Sequence, residues 1–433
     1  FFFKQKTAYE ITYGDWSSDV CSSDLRVHLA AAIGNGLEWF DFAVYGYFAN
    51  DIGRLFFPSQ NSTLQLIASF AVFAIGYLMR PIGSLVLGPI GDLIGRRTML
   101  ISSMVVMGAC SLLIGLLPTD AGWGPWAAYA LLALRMLQGL SVGGEYTGSL
   151  TFVFETAHPE QRGWQGAVAS SGAIVGFVAG AAAAALVYGL LPKPAVLAWG
   201  WRLPFLAGAL IALLGLWLRS SALPSGEAHA EQSGPLQLLR AVWEERVAML
   251  QVMAAIAFAD IAYYLVLVFE PQNAIRQVPA LASRFSLITA INEAAGIGFV
   301  LLGGLLADRL GAKRCMRASC LVLAAVMLPA DLLMQQATAI SLATGQLMAM
   351  VPLMLILGAY PALLPGLFPI SQRCTAFSLA YSLVVAVLGG TAPLLATWMV
   401  AEKGWSFGPA LYTLLWLPAC LWALGRCRTS RTS

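Results

Sequence analysis

Gly88-Pro-Ile-Gly-Asp92-Leu-Ile-Gly95-Arg96-Arg97 is answered, 216 residues further on, by Gly304-Leu-Leu-Ala-Asp308-Arg-Leu-Gly311-Ala-Lys313-Arg314. In each copy the aspartate follows one glycine by four residues and precedes another by three, and a basic pair closes the unit. Each copy also lies between two long apolar stretches. A repeat at half the length of a 433-residue chain, placed identically between hydrophobic spans, means two structurally equivalent halves.

Composition gives the solvent of those halves. Hydrophobic residues make up 59% of the chain, charged residues 11%, and mean hydropathy is +0.74, which excludes a soluble single-core protein of this size. A net charge of +3 with no basic stripe excludes nucleic acid as a partner. Apolar runs of about 20 residues, the length that crosses a hydrocarbon core as a helix, number twelve: 27–49, 64–87, 98–117, 126–150, 166–191, 201–219, 247–269, 285–306, 316–335, 341–364, 374–399 and 407–425. The expected fold is an all-α membrane protein with twelve transmembrane helices in two pseudo-symmetric six-helix bundles, over 26–219 and 247–433, joined by a cytoplasmic linker at 220–246.

Orientation follows from the basic residues. Fifteen fall on one face: Arg26, Arg96, Arg97, Arg162, Arg219, Arg240, Arg246, Arg309, Lys313, Arg314, Arg317, Arg373, Arg426, Arg428 and Arg431. Six fall on the other: Arg54, Lys193, Arg202, Arg276, Arg284 and Lys403. The positive-inside rule makes the richer face cytoplasmic, with both termini inside and the motif copies in equivalent cytoplasmic loops. Residues 1–25 read as translated sequencing-adapter sequence fused to the gene fragment, so the fold argument starts at Arg26. The seven cysteines lack metal-ligand spacing, and neither a disulfide nor a metal site is expected.

Ionisable groups inside apolar spans are functional candidates because a charge in hydrocarbon costs several kcal/mol unless paired or solvated. Helix 1 carries Glu38 and Asp41, with Tyr45 one turn on; helix 4 carries Arg135 and Gln138; helix 7 carries Asp260; helix 8 carries Glu293. At a rise of about 1.5 Å per residue, Glu38 and Arg135 both fall near the midplane. A guanidinium and carboxylates at one depth can pair, and a substrate carboxylate that recruits Arg135 would alter the proton affinity of Glu38 or Asp41. The blander reading is a fixed pair that holds the bundle together. Arg80, beside the loop motif, is expected to pair or cap near the interface, and Glu145 and Glu155 to partner loop arginines. Asp260 divides evenly between cavity and packing. Gly139 with Gly143, Gly144 with Gly148, and Gly172 with Gly176 and Gly180 form faces for close helix approach.

With these motifs the chain resembles the major facilitator superfamily, and within it the bacterial metabolite:proton symporters, over about residues 26–425. The resemblance rests on the duplicated loop motif, on Gly34-Asn35 with Glu38-Trp39-Phe40-Asp41-Phe42 and Tyr45-Gly46, on Arg80-Pro81-Ile-Gly83, on Arg135 with Gln138-Gly139 and Gly143-Gly144-Glu145, and on Phe368-Pro369 with Arg373. It implies a central cavity lined mainly by helices 1, 4, 7 and 10, alternating access, and proton-coupled uptake of a small carboxylate or zwitterion across the bacterial inner membrane by a monomer without cofactor. Glu38, Asp41, Tyr45, Arg135, Gln138 and Asp260 would serve substrate or proton. Arg80, Gly88, Asp92, Gly95, Arg96, Arg97, Glu145, Glu155, Asp308, Gly311, Lys313, Arg314 and Arg373 would form the gating and structural set. An exporter, a uniporter or a non-transporting membrane sensor is the alternative. No Ser/His/Asp set or metal cluster suggests an enzyme. Asp260 and Glu293 depart from the family pattern, and the short tail after helix 12 lacks the heptads of an osmosensing betaine carrier.

Overall fold

The structure is a computed structural model that describes residues 35–94, 96–222, 243–369 and 373–427. Residues 1–25, most of the 220–246 linker and the side chains of 87–100 and Glu145 lie outside that description. So do the expectations attached to Gly88, Asp92, Gly95, Arg96 and Arg97 as side chains, and to Glu145.

The described residues are almost entirely helical. In the first half, α1 is seen from 35 to 47 and continues as Ala49–Phe56; α2 is Ser62–Ile94, α3 Arg96–Leu116, α4 Pro125–Ser141 continued by Glu145–Thr156, α5 Arg162–Leu190 and α6 Arg202–Ala222. In the second half, α7 is Arg246–Tyr264 extended through Leu265–Phe269 to Gln277, α8 Ala282–Leu310, α9 Ala312–Met334 and α10 Ala339–Ala359. α11 begins as Arg373–Val384 and runs on to Glu402, and α12 is Gly408–Leu415 with Leu417–Arg426.

Among the described residues, eight helices are long and apolar enough to cross a membrane. The bent pair Lys193–Gly200 and Arg202–Trp217 adds a ninth. α3 qualifies as a shorter apolar helix, Ile101–Leu116; α1 is seen only in part, and α4 is interrupted at Val142–Gly144. These three complete the twelve spans. Gly144 takes φ +139°, a conformation that a residue without Cβ adopts freely, and α4 restarts there.

Packing follows the repeat. α2 lies on α4 as α8 lies on α10, and α3 lies on α6 as α9 lies on α12. Across the bundle boundary, α5 packs along α8 and α2 packs along α11. The operation that carries α2 onto α8 carries α5 onto α11, so these two boundaries are one contact seen twice. The glycine faces produce this closeness. A Cβ on Gly139 or Gly143 of α4 would run into the backbone of α2, and one on Gly176 or Gly180 of α5 would meet α1 at Gly36, Trp39 and Ala43. Gly163 and Gly304 abut backbone to backbone where α5 meets α8. Such contacts supply the dispersion and weak polar attraction that join helices in lipid, where no hydrophobic drive separates helix from solvent.

The second motif copy sits between α8 and α9. Gly311, φ +90°, makes the turn. Asp308 accepts from the Gly163 and Trp164 amides at 2.6 and 2.8 Å, satisfying free N–H groups at the start of α5 in the other bundle. Lys313 donates to the Gly425 and Cys427 carbonyls at the end of α12 (2.9 and 3.0 Å). This copy is thus a turn whose charges bind neighbouring helix ends.

Candidate binding site

α1 carries two acids three residues apart, and each finds its own arginine. Arg135 of α4 reaches Asp41 at 3.1 Å, Gln138 donates to the same carboxylate oxygen at 2.7 Å, and Ser111 of α3 donates to the other oxygen. Gln138 also accepts from Arg135 at 2.9 Å. All four side chains are fully buried. Asp41 is thus saturated with donors, and the network pins α1, α3 and α4 together. Tyr45 lies under Arg135, its ring centroid 4.4 Å from the guanidinium, and its hydroxyl donates to the Ser69 carbonyl at 3.1 Å.

Glu38 pairs instead with Arg80 of α2 at 2.8 Å. Arg80, expected to pair or cap, therefore finds its partner on α1, both side chains being buried, and α2 continues through Pro81 as one helix to Ile94. Its guanidinium stands over three rings: Trp39 at 5.0 Å and Phe42 and Tyr77 at 4.5 Å each. Arg135 lies 4.5 Å from the same Phe42 ring. The two ion pairs therefore share one aromatic side chain.

Between the bundles is a small cavity of about 50 Å³. Rings form half of its wall: Trp39 from α1, Tyr146 from α4, Phe177 from α5, Tyr263 and Tyr264 from α7, and Tyr360 and Tyr381 from the second half. One carboxylate lines it, that of Asp260. The Asp260 Oδ2 atom has no hydrogen-bond partner, and the carboxylate is pressed against Gly389 of α11, where an added Cβ would collide with it and come within 2.6 Å of Tyr264. Neither Asp41, Arg135, Gln138 nor Tyr45 reaches the lining; Trp39, which carries Arg80, does.

Bridges between the bundles flank the cavity on both sides. Toward the motif end, Tyr146 bonds Tyr360 hydroxyl to hydroxyl, Thr147 donates to Ser378 at 2.8 Å, and Arg373 pairs with Glu155 at 3.0 Å while also donating to the Pro365 and Phe368 carbonyls. Toward the far end, Asn50 donates to Gln272 at 2.8 Å, Gln272 donates to the Tyr47 carbonyl at 2.8 Å, and Arg276 donates to Thr63 at 3.2 Å. Of the sequence-chosen residues, Glu155 and Arg373 meet each other here. Arg314 is exposed at the start of α9. The aromatic wall was missed. Its rings come one or two from each of several helices, and no local pattern joins them.

Two bundles bridged at both ends around a central cavity define a membrane carrier that works by alternating access. Residues 27–224 match the family described as Sugar (and other) transporter. The proline/betaine transporter of Salmonella typhimurium is 32% identical over 95% of this chain and 85% of its own length. The glycine betaine/proline/ectoine/pipecolic acid transporter OusA of Dickeya dadantii is 34% identical, over 89% and 79%. The crystal structure of a D-xylose-proton symporter superposes with a TM-score of 0.75 at 20% identity, covering 92% of this chain and 97% of that one. The chain belongs to the major facilitator superfamily, in the metabolite:proton symporter family that contains these proline/betaine transporters. It is a multi-pass membrane transporter and not an enzyme.

Proposed function

We propose that the protein couples inward proton movement to uptake of a small zwitterion of the betaine or proline kind. The observation that carries this is the aromatic cavity with Asp260 as its one carboxylate, next to Trp39 and the Arg80–Glu38 pair behind it. A quaternary or secondary ammonium head is stabilised by surrounding π faces and by one acid, each ring contributing about 0.5 to 2 kcal/mol when desolvated. The carboxylate end of the same substrate competes with Glu38 for Arg80. Arg80 then moves on the Phe42 ring it shares with Arg135, and the proton affinities of Glu38 and Asp41 change together. Three acids, Glu38, Asp41 and Asp260, face two guanidiniums, so a bound zwitterion leaves one negative charge for a proton to neutralise.

In this reading the motif end is cytoplasmic, both termini are inside a bacterial plasma membrane, and the carrier works as a monomer without cofactor, driven by the proton gradient. The six-helix units span 26–219 and 247–433. The test is substrate-dependent proton flux into proteoliposomes of the full chain, with a pH-sensitive dye and a panel of betaine, proline, shikimate and mono-, di- and tricarboxylates. Alkalinisation of the outer medium on adding betaine or proline supports the proposal. Labelled uptake with no proton movement makes the protein a uniporter, and silence with every compound overturns the transport direction proposed.

A further inference from the structure

Glu293 belongs to neither ion pair of the site. It lies on α8, fully buried, and its Oε1 accepts a 2.7 Å hydrogen bond from the Tyr47 hydroxyl of α1, across the bundle boundary. Its Oε2 has no hydrogen-bond partner. The ion pairs among the described residues engage Arg80, Arg135, Lys193 and Arg373, and none includes Glu293.

The groups around it are all neutral or already paired. α1 presents Tyr47, and α7 presents Tyr263, which also lines the cavity. From α10, Gln346 is used by Thr289 and Asn292, on α8 just before Glu293. From α5, Tyr188 bonds the Tyr47 carbonyl and Asp51, and Asp51 is held by Lys193 at 2.5 Å. An ionised carboxylate in this closed interface, where Lys193 is held by Asp51 and Arg276 by Thr63 and Asn273, is heavily penalised, whereas a neutral acid accepting from Tyr47 fits it.

We propose that Glu293 is a proton-binding residue of the transport cycle, and that its protonation permits the far ends of the two bundles to close through the Tyr47 contact. Loss of the proton places a bare charge at the boundary and drives that end open to water. This order suits a symporter, because the unprotonated carrier waits open to the outside and closes after loading. The inference rests on the proton coupling proposed above and adds a second titrating position, tied to bundle closure and not to substrate.

Spin labels at Arg54→Cys and Arg284→Cys, exposed positions on opposite bundles near the far end, report the closure. Cys21 and Cys374 are replaced by serine, the other five cysteines being buried. In lipid nanodiscs the full chain is expected to give a short inter-label distance in acid buffer and a growing long component in alkaline buffer. Glu293→Gln, which still accepts from Tyr47, should stay short throughout. A distance distribution unchanged between acid and alkali in the otherwise unmodified chain overturns the proposal, and so does a Glu293→Gln variant that opens with pH as the parent does. Proton flux with a pH-insensitive far end sinks this inference alone; a pH-sensitive far end without substrate-driven flux sinks the symport reading alone.

Discussion

Arg80 and Arg135 rest on the same side chain: each guanidinium lies 4.5 Å from the ring centroid of Phe42, one paired with Glu38 and the other with Asp41. Two like charges brought this close repel, and both are held by their acids and by the ring's negative face. Displacing one must be felt by the other. Phe42 is fully buried and does not line the cavity, so its role is mechanical and electrostatic linkage and not substrate contact.

Phe42→Leu keeps the apolar volume and removes the π face. The expected outcome is substrate binding within a few-fold of the parent with fewer protons moved per substrate. Flux of labelled substrate and of protons in the same liposomes measures the ratio, and an unchanged ratio removes Phe42 from the coupling.

Asp41 and Arg135 form a buried pair with every oxygen of the acid engaged. Asp41→Asn or Arg135→Gln alone leaves the partner unmatched and should destabilise the fold by about 3 to 5 kcal/mol. The double variant should lose well under the sum, since neither charge is then stranded. A double-mutant cycle on thermal unfolding in detergent decides this; additive losses would mean that the two side chains are not energetically paired.

Asp260→Asn removes the cavity's acid while keeping its size. Affinity for a quaternary ammonium zwitterion should fall at least tenfold, which is about 1.4 kcal/mol. Gly389→Ala should do the same by forcing Asp260 and Tyr264 out of place. Isothermal titration with betaine reads both, and undiminished binding in Asp260→Asn would place the ammonium elsewhere.

Asp308→Ala frees the Gly163 and Trp164 amides at the start of α5, and Glu155→Gln loosens the Arg373 bridge nearby. Both variants should shift the population toward opening at the motif end, with Asp308→Ala the larger effect because it strands two donors at a helix start. Thiol-reagent labelling of a cysteine introduced at Thr147, on the bridge itself, should accelerate. Equal labelling rates would show that these contacts do not hold that end shut.

Much of this was open to sequence reasoning because lipid leaves so few solutions. The twelve apolar runs follow from satisfaction of backbone groups within each span, the glycine faces from close helix packing in lipid, and the half-length repeat from two equivalent halves. That Arg135 meets a helix 1 acid was also legible, but depth along the helices put it level with Glu38, and its partner in the structure is Asp41, one turn on. That Arg80 pairs was expected, but its partner Glu38 was not named, because the two lie on different helices and no local pattern joins them. Asp260 and Glu293 stood out as odd acids, yet only the assembled bundles show that one faces a ring-lined cavity and the other a tyrosine of the opposite half.

Gly163 and Gly304, abutting without side chains where α5 meets α8, have a further meaning for motion. Interlocking side chains must leave one set of sockets and find another when helices shift. Bare backbone has no sockets. Once the Asp308 hydrogen bonds to the Gly163 and Trp164 amides let go, the boundary at this point behaves as a plain bearing, on which one half can roll against the other through a small angle with no interlocked side chains to disengage. A single added methyl would turn the bearing into a ratchet.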